Sequence, residues 1–227
     1  MFLDTLVEFH VNNCFFHNSI SPGSKSKVKS SVQRSLRAQL IRVYPLLTPY
    51  IDEIIPKKEQ LEAMKIYNSP DRVTLFLLPS PSSSPIGIPL FFQHMSDTLL
   101  PHLKLVHRFP NCFPSIRIDR GAIRFVLSGA TLMAPGLTSK GGRLPSGNEN
   151  EQGKYGEVGV KEGEEAWYGG KELLKGESVV ICAEGKKEAC AVGILTMGTK
   201  DVKEKGKGPV VEEGHYLGDG LWKLACE

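Results

Sequence analysis

Residues 118–139, Ile-Asp-Arg-Gly-Ala-Ile-Arg-Phe-Val-Leu-Ser-Gly-Ala-Thr-Leu-Met-Ala-Pro-Gly-Leu-Thr-Ser, constrain the fold more than any other part of the chain. Their order reads as a strand end, a short two-turn helix, a glycine stop, a second strand and a Pro-Gly turn. Asp119 stands where a carboxylate accepts from the free N–H groups of a first helical turn. Ile123, Val126 and Leu127 share one apolar side, and Arg120 and Arg124 lie one turn apart on the other. Gly129 suits the left-handed residue that ends a helix, and Pro135-Gly136 suits a tight turn. A glycine-flanked helix with outward arginines sets exposed backbone N–H groups beside fixed positive charge, a surface suited to phosphate and sugar. A capped helix with arginines on its wet face also occurs in small β-domains of any function, so these properties leave both readings open.

The 227 residues, 41% of them apolar, allow one large core or two small ones, and two fit the length better. A net charge of +3 does not argue for a nucleic-acid partner, but its distribution is uneven. Residues 21–58 carry eight Lys or Arg against two acids, and residues 101–143 carry seven against one. Residues 149–177 carry eight Glu against four Lys. Each basic region is a candidate contact surface or simply a solvated face. The cysteines at 14, 112, 182, 190 and 226 form no C-x-x-C pair and have no histidine at ligand spacing, which predicts reduced thiols and no structural metal. No apolar run reaches the roughly 20 residues of a membrane helix. Asp4, Glu8, His10 and Asn12 interrupt the apolar start, unlike a signal peptide, and a cytoplasmic protein is expected.

Val28, Val32, Leu36, Leu40 and Val43 predict an amphipathic helix over 26–44, with Lys27, Arg34 and Arg37 on its polar side and Tyr44-Pro45 ending it. Thr48-Pro49 predicts a second, short helix, which Ile55-Pro56-Lys57-Lys58 leaves. Residues 61–67 and 72–78 predict strands joined by a turn at Asn68-Ser69-Pro70-Asp71, and a further strand surrounds Leu90-Phe91-Phe92. Pro79 to Pro85 reads as a linker or flexible loop, and Leu99 to Phe109 as a helix stopped by Pro110. Residues 141–176 hold 10 of the 23 glycines and read as a disordered or long surface loop. Within it, Trp167-Tyr168 either docks locally or marks a partner-binding segment. A hairpin over 178–197 turns at Glu184-Gly185-Lys186-Lys187, and Leu221-Trp222-Lys223-Leu224 supplies a last strand.

No nucleophile elbow, phosphate loop, dinucleotide fingerprint or metal-binding histidine pair occurs. His94, His102 and His107 are spaced by eight and five, which does not stack them on one helix face, so they read as surface or helix-end residues. Lys57-Lys58 follows Pro56 at a helix exit, where two ammonium groups either neutralise phosphates or merely solubilise a loop.

The 118–139 string resembles the opening of a PUA domain, an RNA-binding β-pseudobarrel. The resemblance continues in Val179-Val180-Ile181-Cys182-Ala183-Glu184-Gly185-Lys186, in Cys190-Ala191-Val192-Gly193, and in His215-Tyr216-Leu217-Gly218-Asp219-Gly220-Leu221-Trp222. Ile55-Pro56-Lys57-Lys58, Pro89-Leu90-Phe91-Phe92 and Leu103-Lys104-Leu105-Val106-His107-Arg108-Phe109-Pro110 come in matching order too. Together they resemble the malignant-T-cell-amplified-sequence family of eukaryotic translation proteins, in a fungal-type form.

That resemblance implies an α+β chain: an N-terminal α+β domain over 1–112, then a C-terminal PUA β-pseudobarrel over 113–227 with a long Gly/Glu-rich insertion at 141–176. It implies a non-catalytic factor without a cofactor, whose partners are the small ribosomal subunit, the acceptor end of tRNA and a SUI-domain protein resembling density-regulated protein. Its activity would be release of deacylated tRNA from post-termination 40S subunits and support of reinitiation. Arg120, Arg124 and Lys140 would meet phosphate, and Gly121, Gly129 and Gly136 would allow close backbone approach. Pro135 and Thr138 would complete the RNA face, and Arg34, Arg37, Lys57 and Lys58 would face the ribosome. Two departures from the family pattern are the Pro/Ser loop around 79–89 and the 141–176 segment, whose acidic charge would weaken phosphate binding. An RNA-modifying enzyme that uses its PUA domain for delivery, and a protein-interaction scaffold, are the alternatives.

Overall fold

A computed structural model of the chain describes residues 20–67, 73–79, 86–94, 98–145, 171–224 and 226. The predicted turn at 68–71, most of the Pro/Ser loop, and 146–170 with Trp167-Tyr168 lie outside the described residues. Two five-stranded sheets carry the fold. The first is an antiparallel meander, β1 (Ser21–Lys27), β2 (Glu62–Tyr67), β3 (Val73–Leu78), β4 (Ile88–His94) and β5 (Leu100–Pro101), in that spatial order. Helices α1 (Ser30–Val43) and α2 (Ile51–Ile54), linked by a 3-10 turn over Pro45–Tyr50, pack into its core through Leu36, Leu40, Leu47 and Ile54. Strand β3 is buried along nearly its whole length, so it reads as a continuous apolar run rather than an alternation.

Helix α3 (Leu103–Arg108) leads to the second sheet, ordered β6 (Ser115–Ile118), β8 (Ser178–Ala183), β9 (Ala191–Leu195), β10 (Pro209–Tyr216) and β7 (Leu132–Met133). Among the described pairs of this sheet β6–β8 is parallel and the others are antiparallel. Short helices α4 (Ile123–Val126) and α5 (Pro135–Thr138) sit between β6 and β8 in sequence, and α6 (Thr199–Lys205) and α7 (Gly220–Leu224) follow β9 and β10. One apolar core joins the two sheets, since Val180, Val192, Leu221 and Leu224 pack with the first sheet's residues. Tyr44 is buried at the join, where its hydroxyl donates to the Leu99 carbonyl at 2.9 Å and lies 2.8 Å from Ser178 Oγ.

Several elements differ from the sequence expectation. The predicted helix over 26–44 begins at Ser30, because Ser21–Lys27 pairs with β2 as an edge strand. Val32 is exposed, and the buried face is Gln33, Leu36 and Leu40. Pro45, not Pro49, opens the next turn, and Thr48 Oγ1 donates back to the Pro45 carbonyl instead of capping a helix. Residues 99–109 split into β5 and α3 because the His102 ring caps the helix, Nδ1 accepting from Lys104 N–H at 3.1 Å. Residues 221–224 are helical, and the last strand is β10. Asp219 enforces this: its carboxylate accepts from Trp222 N–H at 2.8 Å and from Tyr216 N–H at 3.0 Å. Residues 141–145 and 171–176, expected within a loop, are partly built into the fold. Arg143 pairs with Arg117 through the backbone, and buried Leu173 exchanges hydrogen bonds with Thr199.

His102 and His107 are helix-end residues of α3, as the sequence suggested, but His102 is also drawn into the core. His102 and His215 are fully buried with ring centroids 4.5 Å apart, and His102 stacks near Trp222. His215 Nδ1 donates to Asp219 Oδ2 at 2.8 Å, with both side chains shut off from solvent. Burial, followed by the neighbouring His215, holds the His102 pKa well below its usual value.

Candidate nucleic-acid interface

After β6 the chain turns sharply, and Asp119 ties the turn together. Its own N–H donates to the Gly136 carbonyl at 2.9 Å. Its carboxylate accepts from Ala122 N–H at 2.9 Å and from the Ser139 hydroxyl at 2.7 Å. The Ser139 bond, then those from the Ala122 and Gly121 N–H groups, hold the carboxyl below the ordinary carboxylate range. One acid therefore joins the start of α4 to the end of α5. It also takes up the N–H groups expected to be open to a ligand, so anion binding here falls to side chains.

Arg120, Arg124 and Lys140 are exposed on this loop, and none has an ion-pair partner among the described residues. The Arg124 guanidinium lies 4.6 Å from the Phe125 ring centroid. Gly129 ends α4 at φ +76°, with Ala130 N–H donating to the Phe125 carbonyl and Gly129 N–H to that of Val126. Pro135 opens α5 rather than a β-turn, because its fixed φ suits a first helical position. Gly136 lies against Ala122, where an added Cβ would approach that residue's Cβ to 3.1 Å. The Thr138 hydroxyl donates to the Ala134 carbonyl, and Gly121 faces Asp119. Gly129 and Gly136 thus meet needs inside the protein. Of the predicted apolar side of α4, Val126 is buried but Leu127 is 39% exposed, since the chain leaves the helix there.

The second cationic surface is a groove of about 470 Å³ between α1 and residues 57–60, and it brings together Arg34, Arg37, Lys57 and Lys58. Gln33 builds it, a residue the sequence reading passed over. Its Nε2 donates to the Glu59 carbonyl at 2.8 Å and the Pro56 carbonyl at 3.3 Å, while Oε1 accepts from Leu61 N–H at 3.0 Å. The four cations are not equivalent. Arg37 donates to the carbonyls of Ile51 and Ile55 and pairs with Asp52. Lys57 also approaches Asp52, at 3.4 Å. Arg37, followed by Lys57, keeps the Asp52 carboxyl below its usual pKa. Arg34 and Lys58 are exposed and have no ion-pair partner among the described residues.

Among the described residues no cluster of side chains fits a metal, and no helix is long and apolar enough to cross a membrane. Among the described residues Cys112, Cys182, Cys190 and Cys226 form no disulfide.

Residues 16–110 match the Pre-PUA-like domain family. Over 204 residues the chain is 44% identical to Translation machinery-associated protein 20 of Saccharomyces cerevisiae, covering 90% of this chain and 94% of that protein. It is 31% identical to human Malignant T-cell-amplified sequence 2, covering 87% of this chain and 90% of that protein. Among solved structures, a PUA domain protein from Aeropyrum pernix superposes with a TM-score of 0.60 at 19% identity, over 92% of this chain and 93% of the other. A hypothetical protein from Pyrococcus horikoshii does so with a TM-score of 0.60 at 18% identity, over 89% and 99%. At such identities the likeness shows a shared PUA-type fold.

Proposed function

The chain belongs to the family of translation machinery-associated protein 20 and the malignant T-cell-amplified sequence proteins, and on that premise we propose that it is a non-catalytic RNA- and ribosome-binding translation factor. The observation that carries the proposal is the loop around Asp119, which holds Arg120, Arg124 and Lys140 outward beside an anchored turn. Cations presented in this way neutralise phosphates without reading base sequence. In the proposed division of labour, residues 113–227 receive the acceptor end of tRNA. Residues 1–112 meet the small ribosomal subunit through Arg34, Lys57 and Lys58, with Arg37 shaping that groove from within. A SUI-domain protein resembling density-regulated protein would be the partner, the setting would be cytoplasmic, and the work would be release of deacylated tRNA and support of reinitiation.

The buried His215–Asp219 pair supports a binding role over catalysis, because it is closed to solvent and already satisfies helix α7. Sedimentation with 40S subunits over a salt series, with and without the SUI-type partner, tests the ribosome half of the reading. Co-sedimentation that falls steeply with salt is expected, and binding indifferent to salt counts against it. Gel shifts with deacylated tRNA and with tRNA lacking its terminal nucleotides test the other half. Equal shifts for the two would remove the acceptor end from the proposal.

A further inference from the structure

We propose that Phe125 is a stacking platform for an unpaired nucleobase, so that this surface takes single-stranded RNA through base faces as well as phosphates. The inference rests on the RNA-binding reading above and adds the class of ligand to it. Phenylalanine is among the residue types most often fully buried. Phe125 is nevertheless 52% exposed, while the next residue, Val126, is completely covered. Met133, on β7 of the same turn-bounded segment, is 46% exposed. The helical turn of α4 sends Val126 into the core and the ring outward.

The backbone that carries the ring is held. The Phe125 carbonyl accepts from Ser128 Oγ at 2.8 Å, from Ser128 N–H at 3.1 Å and from Ala130 N–H at 3.0 Å. The Arg124 guanidinium lies over one side of the ring. A backbone ordered in advance leaves less entropy to lose when a ligand arrives.

The surrounding charge selects the occupant. Arg120, Arg124 and Lys140 are exposed without an ion-pair partner among the described residues, and the acid of this loop, Asp119, is engaged by Ser139. An apolar peptide would have to sit among unpaired cations, whereas the cores of protein interfaces are depleted of charge. A nucleotide supplies both complements, a π-face for the ring and a phosphate for the guanidinium. Duplex RNA keeps its base faces inside the helix, so the ligand is a splayed, single-stranded nucleotide, at an RNA end or in a loop.

Fluorescence anisotropy of the full chain tests this with three RNAs: a hairpin with a short single-stranded overhang, the same hairpin with abasic overhang nucleotides, and a blunt hairpin. Phe125→Ala is expected to weaken binding of the first by roughly 5- to 150-fold, the range for losing one base–aromatic stack, and to leave the other two unchanged. Phe125→Tyr should bind like the parent. Arg120→Ala with Arg124→Ala should weaken all three RNAs. An unchanged affinity of Phe125→Ala for the overhang, with the arginine variant still impaired, overturns the stacking role and leaves the RNA reading standing. An equal loss on all three RNAs also overturns it, and no binding by the parent overturns both. Should Phe125→Ala fold poorly, Phe125→Trp gives a separate readout: its added emission should be quenched by the overhang RNA and not by the abasic one. Equal quenching by both contradicts the proposal.

Discussion

Replacing Arg37 by alanine separates shape from contact in the cationic groove. The Arg37 side chain is only 14% exposed and donates to the carbonyls of Ile51 and Ile55. Ile51 keeps a second donor in Ile55 N–H at 2.9 Å, so the main loss is the bond to the Ile55 carbonyl at the end of α2. A hydrogen bond from a charged donor contributes about 1.5–3 kcal/mol, and the exposed pair with Asp52 adds little beyond it. The expected destabilisation of about 2–3 kcal/mol lowers Tm by roughly 4–12 °C in a chain of this size. Arg34→Ala, at an exposed position without a partner among the described residues, should stay within about 0.5 kcal/mol of the parent. Thermal denaturation followed by circular dichroism, with urea melts as a check, measures both. Equal, negligible shifts for the two variants would mean that Arg37 is as free as Arg34, and the internal role given to it here would be wrong.

Three further outcomes are expected. Lys57→Glu with Lys58→Glu should weaken 40S co-sedimentation while leaving Tm nearly unchanged, because both ammonium groups are exposed; a collapse of the fold would make them structural. Buried, neutral His102 holds a proton less tightly than the unfolded chain, whose histidines titrate near 6.5, so the unfolded state takes up protons first as pH falls. Urea-melt stability should therefore decline from about that pH down to the lower folded pKa, and His102→Leu should flatten the decline; an identical slope would remove His102 from the cause. Gly129→Ala, forced to φ +76°, should cost about 1–2 kcal/mol in a urea melt, and no change would mean that the left-handed turn is not required.

What the sequence made legible follows rules that act over a few residues. Asp119, expected to cap the helix, accepts from Ala122 N–H just before α4 rather than standing at the cap position itself. Gly129 is the expected left-handed residue, and both needed only local chemistry. The polar strand Ser21–Lys27 was invisible because it is an exposed edge without apolar alternation, marked by Pro22 and Gly23. Leu221-Trp222-Lys223-Leu224 looked like a strand by composition, and Asp219 with the shared core overrides that tendency. His102 and His215 come from opposite parts of the sequence, so their contact and burial belong to the tertiary fold. The clip made by Gln33 spans 23 to 28 residues, and no spacing rule connects it with Lys57 and Lys58. The family resemblance, rather than periodicity, put those lysines beside Arg34.

The measurement closest to the central claim is the salt dependence of RNA affinity, taken for the parent and for a variant with alanine at Arg120, Arg124 and Lys140. Each phosphate contact contributes about 0.7 to 0.9 to the slope of log affinity against log salt concentration. The variant is expected to bind more weakly and to lose roughly 2 to 3 from that slope, with its Tm unchanged, because all three side chains are exposed and unpaired among the described residues. Coincident slopes and affinities for parent and variant would contradict the assignment of this loop to RNA.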